Sequence, residues 1–159
     1  MRALVITVSN RASAGIYADK SGPLLVELLH GDTGCEDVDG PLVVPDGEPV
    51  EAALRKGLAD GYDVIVTTGG TGLTPMDLTP EMTARVISRE IPGIAEAIRM
   101  ANRDKVPASV LSRGLAGQAG NTLIVNLPGS SGGVRDGVAV LAPILRHAVD
   151  QMRGGDHPR

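Results

Sequence analysis

The stretch "VIVTTGGTGLTPMDLTPE" (64–81) holds the chain's densest set of groups suited to chemistry. An apolar run ends at Thr67-Thr68, and Gly69-Gly70-Thr71-Gly72 follows at once. Glycine lets a backbone approach a ligand closely. Successive N–H groups in such a turn form a concavity that favours anions, and threonine hydroxyls add donors. Thr68, Gly69, Gly70, Thr71 and Gly72 are therefore read as a loop for a phosphate or a polar heterocycle. The plainer reading is a tight turn from strand to helix. Asp77 follows after four intervening residues. It fits a solvated turn before a helix start, or a carboxylate for Mg²⁺, which takes one or two carboxylates plus substrate phosphates.

Other candidates lie outside this stretch. Asp46, in Pro45-Asp46-Gly47, suits a turn and a helix cap. It also follows a strand, so it is placed to face the same cleft as Asp77. "NLPGSSGG" (126–133) supplies Asn126, Pro128, Gly129 and Ser130 at a strand end and helix start. Backbone N–H groups there suit an anion, although Ser130 or Ser131 as a plain cap explains them nearly as well. Ser112-Arg113 offers a hydroxyl and a guanidinium to a ligand; an exposed arginine on a strand is the commoner case. His30, His147 and His157 lack metal-ligand spacing and are assigned to the surface. Cys35 is read as a small buried apolar residue.

Two familiar nucleotide motifs fail on spacing. No Gly-Lys pair exists for a P-loop. A dinucleotide fingerprint starting at Gly70 and Gly72 meets Pro at position 75.

The elements that must position these groups follow from periodicity. Runs at 3–9, 62–68 and 122–129 read as buried strands, and 36–44 as a weaker one broken at Asp39-Gly40-Pro41. Residues 112–118 read as a further strand, antiparallel to 122–129. One helix starts near Ser21 or Gly22 with Pro23 in its first turn and Leu24, Leu25, Leu28 and Leu29 on one face, stopping near Gly31. The next carries Val50, Ala53, Leu54 and Leu58. A third opens at Thr79-Pro80-Glu81 with Thr79 as cap and is broken at 91–93. A fourth spans 94–102 with Ile94, Ala97, Ile98 and Ala101 inward. The last runs from Val134 to Met152, kinked or broken at Pro143. Strand and helix alternate, which predicts a doubly wound α/β sheet. Its ligand loops are then 9–21, 68–79 and 127–133, at the carboxyl ends of strands.

Composition bounds the rest. The chain has 159 residues, enough for one domain, expected over 1–152 with a polar tail at 153–159. Phe and Trp are absent and Tyr occurs twice, so the core is aliphatic and base-stacking platforms are lacking. The net charge of −4, with no basic run, argues against nucleic acid as a partner. One cysteine excludes an internal disulfide and a multi-cysteine zinc site. Apolar runs are too short to cross a membrane, and a cytoplasmic protein is expected.

"TTGGTG" with Asp77 and "LTPE", joined in order by "VITVSNRASAG…DKSGP", "VVPD", "LSR" and "NLPG", closely resembles the molybdopterin-binding family of molybdenum cofactor biosynthesis proteins. The resemblance spans nearly the whole chain. It implies a three-layer α/β/α fold with a mostly parallel central sheet, and commonly a homotrimer. Its nearest implied activity is Mg²⁺-dependent transfer of AMP from ATP to molybdopterin, giving adenylyl-molybdopterin and pyrophosphate, ahead of a molybdate-inserting enzyme. The family's two catalytic aspartates match Asp46 and Asp77. The segment Leu73-Thr74-Pro75-Met76 departs from the pattern, because it offers no basic residue to a phosphate. A non-catalytic molybdopterin-binding paralogue, and an interaction protein whose glycine loops are only turns, stay open beside the enzyme.

Overall fold

The computed structural model describes residues 1–156. In chain order the elements are β1 (Arg2–Val8), α1 (Asn10–Ser13), α2 (Ser21–Asp32), β2 (Asp37–Val44), α3 (Glu48–Ala59) and β3 (Val64–Thr68). Then come α4 (Thr79–Ala84), β4 (Arg89–Glu90), α5 (Pro92–Met100), a 3₁₀ turn (Pro107–Leu111), β5 (Ala116–Ala119), β6 (Thr122–Leu127), α6 (Ser131–Leu141) and α7 (Leu145–Met152). The strands form one sheet in the order β2-β1-β3-β6-β5-β4. The first four run parallel, and β5 and β4 are antiparallel to their neighbours.

Period-two alternation divides the core between the two faces of the sheet. Ala3, Val5, Val64, Val66, Leu123 and Val125 face Leu25, Leu29, Ile94, Val134, Val138, Leu145 and Val149 of α2, α5, α6 and α7. Their neighbours Leu4, Ile6, Ile65 and Ile124 face Val50, Leu54 and Met82 of α3 and α4. Ile65 and Ile124 are fully buried, and each such side chain contributes about 1.5–3 kcal/mol relative to exposure. Helices on both faces of a mostly parallel sheet make the expected three-layer architecture.

Several local expectations are corrected. The strand expected at 112–118 begins only at Ala116, because 107–111 coils into the 3₁₀ turn and Ser112-Arg113 leads out of it. In α5 the buried stripe is Ile94, Ala95 and Ile98, while Ala97 and Ala101 are exposed. The helix opens at Pro92, and its predecessor, expected to run to 91–93, has already ended at Ala84 with β4 between them. Pro143 breaks the last helix into α6 and α7. Neither Ser21 nor Gly22 caps α2; the Asp19 carboxylate accepts the Gly22 N–H at 3.0 Å. Thr79 is likewise the first residue of α4 and not its cap. Cys35 is buried, and His30 and His147 are exposed; His157 and the rest of the terminal stretch 157–159 lie outside the described residues. Arg153, at the start of the expected tail, pairs with Asp63 just before β3.

Candidate active site

Register brings the loops together. Thr7 lies opposite Thr68, Val8 opposite Val44 and Thr68 opposite Leu127. The loops after β1, β2, β3 and β6 therefore leave one edge of the sheet. From β1 the chain steps to β2 on one side and later to β3 on the other, which opens a crevice at the carboxyl ends of β1 and β3.

The glycines of the β3–α4 loop admit protein groups. A Cβ on Gly69 would lie 2.2 Å from the Val8 carbonyl oxygen, so glycine there lets β3 turn beneath the end of β1. Gly69 N–H donates to the Leu127 carbonyl at 3.0 Å. Gly129 packs on Gly69, its Cβ position 3.3 Å from the Gly69 Cα. Gly70 has φ +69°, and a Cβ there would meet Thr79 Oγ1 at 2.1 Å and Asp46 Oδ2 at 2.4 Å. A Cβ on Gly72 would lie 2.8 Å from Asp77 Oδ2. Two glycines of the loop thus face the two aspartates.

Asp46 is held from both sides. Its backbone N–H donates to Asn10 Oδ1 at 2.9 Å. Its Oδ1 accepts from Gly47 N–H at 2.7 Å and Thr79 Oγ1 at 3.1 Å, and its Oδ2 accepts from Leu78 N–H at 3.1 Å. Asp46 therefore does the capping work at the start of α4 that the spacing gave to Thr79. Asp77 is tied locally: Oδ2 accepts from Thr74 N–H at 3.0 Å and Thr74 Oγ1 at 2.8 Å. Among the described residues no donor reaches Asp77 Oδ1. Each carboxylate has about four lone-pair sites, so both keep acceptor capacity beyond these bonds.

Ser112 and Arg113 turn towards the same loop. Ser112 Oγ donates to Thr71 Oγ1 at 3.3 Å. Arg113 N–H donates to the Thr71 carbonyl at 2.8 Å. The Arg113 guanidinium gives Nε to the Gly72 carbonyl at 2.8 Å and Nη2 to the Asp77 carbonyl at 2.7 Å. Its Nη1 pairs with Glu81 and holds that carboxyl below the usual glutamate range. The arginine is therefore committed to protein groups rather than to a ligand.

Two cavities flank the loop. One, of about 470 Å³, is lined by Asp46, Asp77, Gly70, Thr74, Met76 and, from the end of β1 onward, Val8, Ser9, Asn10, Arg11 and Tyr17. The other, of about 420 Å³, is lined by Thr71, Gly72, Ser112, Pro128, Ser130, Gly132 and Gly133, with Leu73, Val106 and Leu111 as its apolar wall. Of the residues singled out by sequence, Asp46, Gly70 and Asp77 meet in the first, and Thr71, Gly72, Ser112, Pro128 and Ser130 in the second. Thr68, Gly69, Asn126 and Gly129 line neither. Thr68 Oγ1 donates to the Pro128 carbonyl at 2.8 Å. The buried Asn126 amide donates to Thr67 Oγ1 and Thr83 Oγ1, each at 3.0 Å, and its Oδ1 accepts from Leu115 N–H at 3.0 Å. Ser130 also caps α6 through the Gly133 N–H. A larger cavity of about 550 Å³ lies at the amino ends of the strands, among Tyr62, Asp63, Thr122 and Arg153. It is lined by none of the motif residues.

Sequence reasoning missed Ser9, Asn10, Arg11, Tyr17 and Thr74 as individual residues. The signal for the first four was their loop, which follows the same strand edge. Thr74 carried no signal, because its role depends on Asp77 folding back on it.

Comparison with known proteins gives the family. The family described as "Probable molybdopterin binding domain" matches residues 4–147. A molybdopterin adenylyltransferase of Helicobacter pylori is 37% identical over 158 residues, covering 94% of this chain and 86% of its own. A molybdenum cofactor biosynthesis bifunctional protein of Synechococcus elongatus is 38% identical over 155 residues, covering 98% of this chain and 48% of its own. This chain thus spans about half the length of the bifunctional relatives it matches. The solved structure of the molybdopterin biosynthesis Mog protein from Mycobacterium ulcerans superposes with a TM-score of 0.90 at 51% identity, covering 95% of this chain and 98% of that one. By its sheet order and these likenesses, the chain belongs to the molybdopterin-binding family of molybdenum cofactor biosynthesis proteins.

Proposed function

We propose that this chain transfers AMP from ATP to molybdopterin. A terminal phosphate oxygen of the pterin attacks the α-phosphorus, and the bond from that phosphorus to the departing pyrophosphate breaks. The reading rests above all on one observation: Asp46 and Asp77 line a single cleft, each against a glycine of the same loop. The relatives named molybdopterin adenylyltransferase support it.

The two substrates are anions, so catalysis is chiefly positioning and charge neutralisation. The attacking phosphate is already ionised, and no general base is required of the protein. The loop 70–72 separates a carboxylate-lined cleft from a cavity with an apolar wall, so two ligands can meet across it. Asp46 and Asp77 would hold Mg²⁺, and the donor set fits that ion. Both are carboxylates with spare lone pairs. Mg²⁺ uses few protein oxygens and keeps water and phosphate for the rest. When bound it offsets charge on the triphosphate and leaving pyrophosphate. Asp46 orients its carboxylate through Gly47, Leu78 and Thr79, and Asp77 through Thr74.

We further read the chain as a cytoplasmic homotrimer that passes its product to a molybdate-inserting enzyme. Supporting association, Met100, Val106, Val110 and Leu111 are 44–54% exposed within one short segment. No helix among the described residues is long and apolar enough to cross a membrane. Sedimentation equilibrium tests the trimer.

The deciding assay incubates the purified chain with Mg-ATP and molybdopterin and measures adenylylated product and pyrophosphate. Product lost in Asp77→Ala is the expected result. Tight pterin binding without product leaves a binding-only paralogue, and no pterin binding leaves an interaction protein.

A further inference from the structure

We propose that Arg113 is the positioning residue for Asp77, clasping the 72–77 loop at both ends and keeping its carboxylate aimed into the cleft. This rests on the AMP-transfer reading for its consequence, but the clasp itself is a matter of loop geometry.

The loop has little else to fix it. Leu73 and Met76 are 64% and 62% exposed, and Thr74 and Pro75 are exposed as well, so apolar burial does not hold the segment. Asp77 binds Thr74 through its side chain and its own N–H. Those bonds close the loop on itself and leave its orientation to the cleft unset. On its far side Leu78 N–H reaches Asp46, and Thr79 N–H reaches the Gly70 carbonyl at 3.3 Å. Across the loop, Arg113 alone among the described residues spans its two ends, the Gly72 and Asp77 carbonyls. The guanidinium has its own foundation, since Arg113 N–H and Ser112 Oγ are both tied to Thr71. Glu81 takes the remaining edge of the fork and fixes its plane.

The task selects arginine over lysine. Three acceptors in different directions are met by one planar fork with five N–H donors in fixed geometry. A lysine ammonium keeps the charge but cannot bridge both carbonyls and the carboxylate in that plane. The two carbonyls accept from a cation, and such bonds are stronger than neutral ones.

The test uses the full chain with Arg113→Lys and Arg113→Ala. Amide hydrogen exchange is read across 72–78 and across β3 and β6. Steady-state AMP transfer is read against Mg²⁺, ATP and molybdopterin. The expected result is faster exchange confined to 72–78 in both variants. With it go a kcat lowered ~10–100-fold, the range for losing a group that orients a metal ligand, a raised half-saturating Mg²⁺ concentration, and a KM for molybdopterin within about twofold of the parent chain. Arg113→Lys retains the charge and aliphatic stem, so it separates loss of the fork from failure to fold. Unchanged exchange in 72–78 overturns the clasp. So does faster exchange spread equally over β3 and β6, which marks general destabilisation. Normal kcat and Mg²⁺ dependence with a loosened loop overturns the link to Asp77. If the parent chain makes no product, the AMP-transfer reading falls, and exchange together with Mn²⁺ affinity measured by paramagnetic resonance decides the positioning of Asp77.

Discussion

Gly70 and Asp46 are packed so closely that a Cβ on Gly70 would sit 2.4 Å from Asp46 Oδ2. The same atom would lie 2.1 Å from Thr79 Oγ1, which donates to Asp46. Gly70→Ala therefore forces Asp46, Thr79 or the loop itself to move. It also places alanine at φ +69°, at a cost of roughly 1–2 kcal/mol before any collision is counted. AMP transfer should fall on the order of 10²-fold, the scale of a 1 Å misplacement of reacting groups. Gly93→Ala is the control, since nothing lies within 4 Å of that Cβ position in α5. Urea denaturation and the adenylylation assay read both variants, and a fully active Gly70→Ala would remove the argument that this glycine seats the carboxylate.

The two aspartates should separate on stability while agreeing on activity. Asp46 accepts from Gly47, Leu78 and Thr79, joining the β2–α3 turn to α4. Among the described residues the Asp77 carboxylate accepts only from Thr74, three residues away. Asp46→Ala should cost about 1–3 kcal/mol of folding free energy, the penalty for stranding partly buried donors. Asp77→Ala should cost under about 1 kcal/mol. Both should abolish AMP transfer. Unchanged turnover in Asp46→Ala with a lowered melting temperature would return that residue to a purely capping role.

How far the sequence carried this picture depends on the range of each interaction. Strands and the core halves of the helices were legible because alternation and helical spacing are local patterns. The antiparallel β5 was legible only with its start set four residues early, and β4 was not, since Arg89–Glu90 carries no apolar alternation and gains its place by pairing. Asp46 and Asp77 were legible as candidates through their loops. Their contacts with Gly70, Gly72 and Thr79 were not, because they cross between loops up to 33 residues apart. Arg113 was read as a ligand contact or an exposed side chain. Its true partners are backbone carbonyls 36 and 41 residues earlier, and no spacing rule announces those. Asp19 shows the same effect: Thr7 Oγ1 donates to it at 2.7 Å, so one carboxylate caps α2 and ties the 9–21 loop back to β1.

Asn126 illustrates a residue whose motif position and physical role diverge. Its amide is 3% exposed and joins Thr67, Thr83 and the Leu115 N–H. Asn126→Ala should destabilise the fold by about 1–3 kcal/mol, because the Leu115 donor loses its partner in the interior. The KM values for ATP and molybdopterin should stay within about twofold. Denaturation and steady-state kinetics check this together; a raised KM with unchanged stability would mark Asn126 as a substrate contact after all.

Glu81 gives the site loop a pH dependence with a definite sign. Arg113 holds the Glu81 carboxyl below the usual glutamate range, so at mildly acidic pH the unfolded chain binds more protons there than the folded chain. Stability from the pair is therefore present above the ordinary glutamate value of about 4.3, and is lost as pH falls through the depressed folded value. Glu51 is depressed in the same sense by Arg55 and Arg85, so the parent chain's acid slope contains both pairs. Glu81→Gln isolates one of them. Relative to the parent chain, the variant should lose under about 1 kcal/mol at neutral pH, as expected for an exposed pair. The difference should shrink towards zero as the pH drops below the carboxylate range. Urea denaturation at a series of pH values measures it, and a difference that grows on acidification would show that the Arg113–Glu81 pair does not supply this stability.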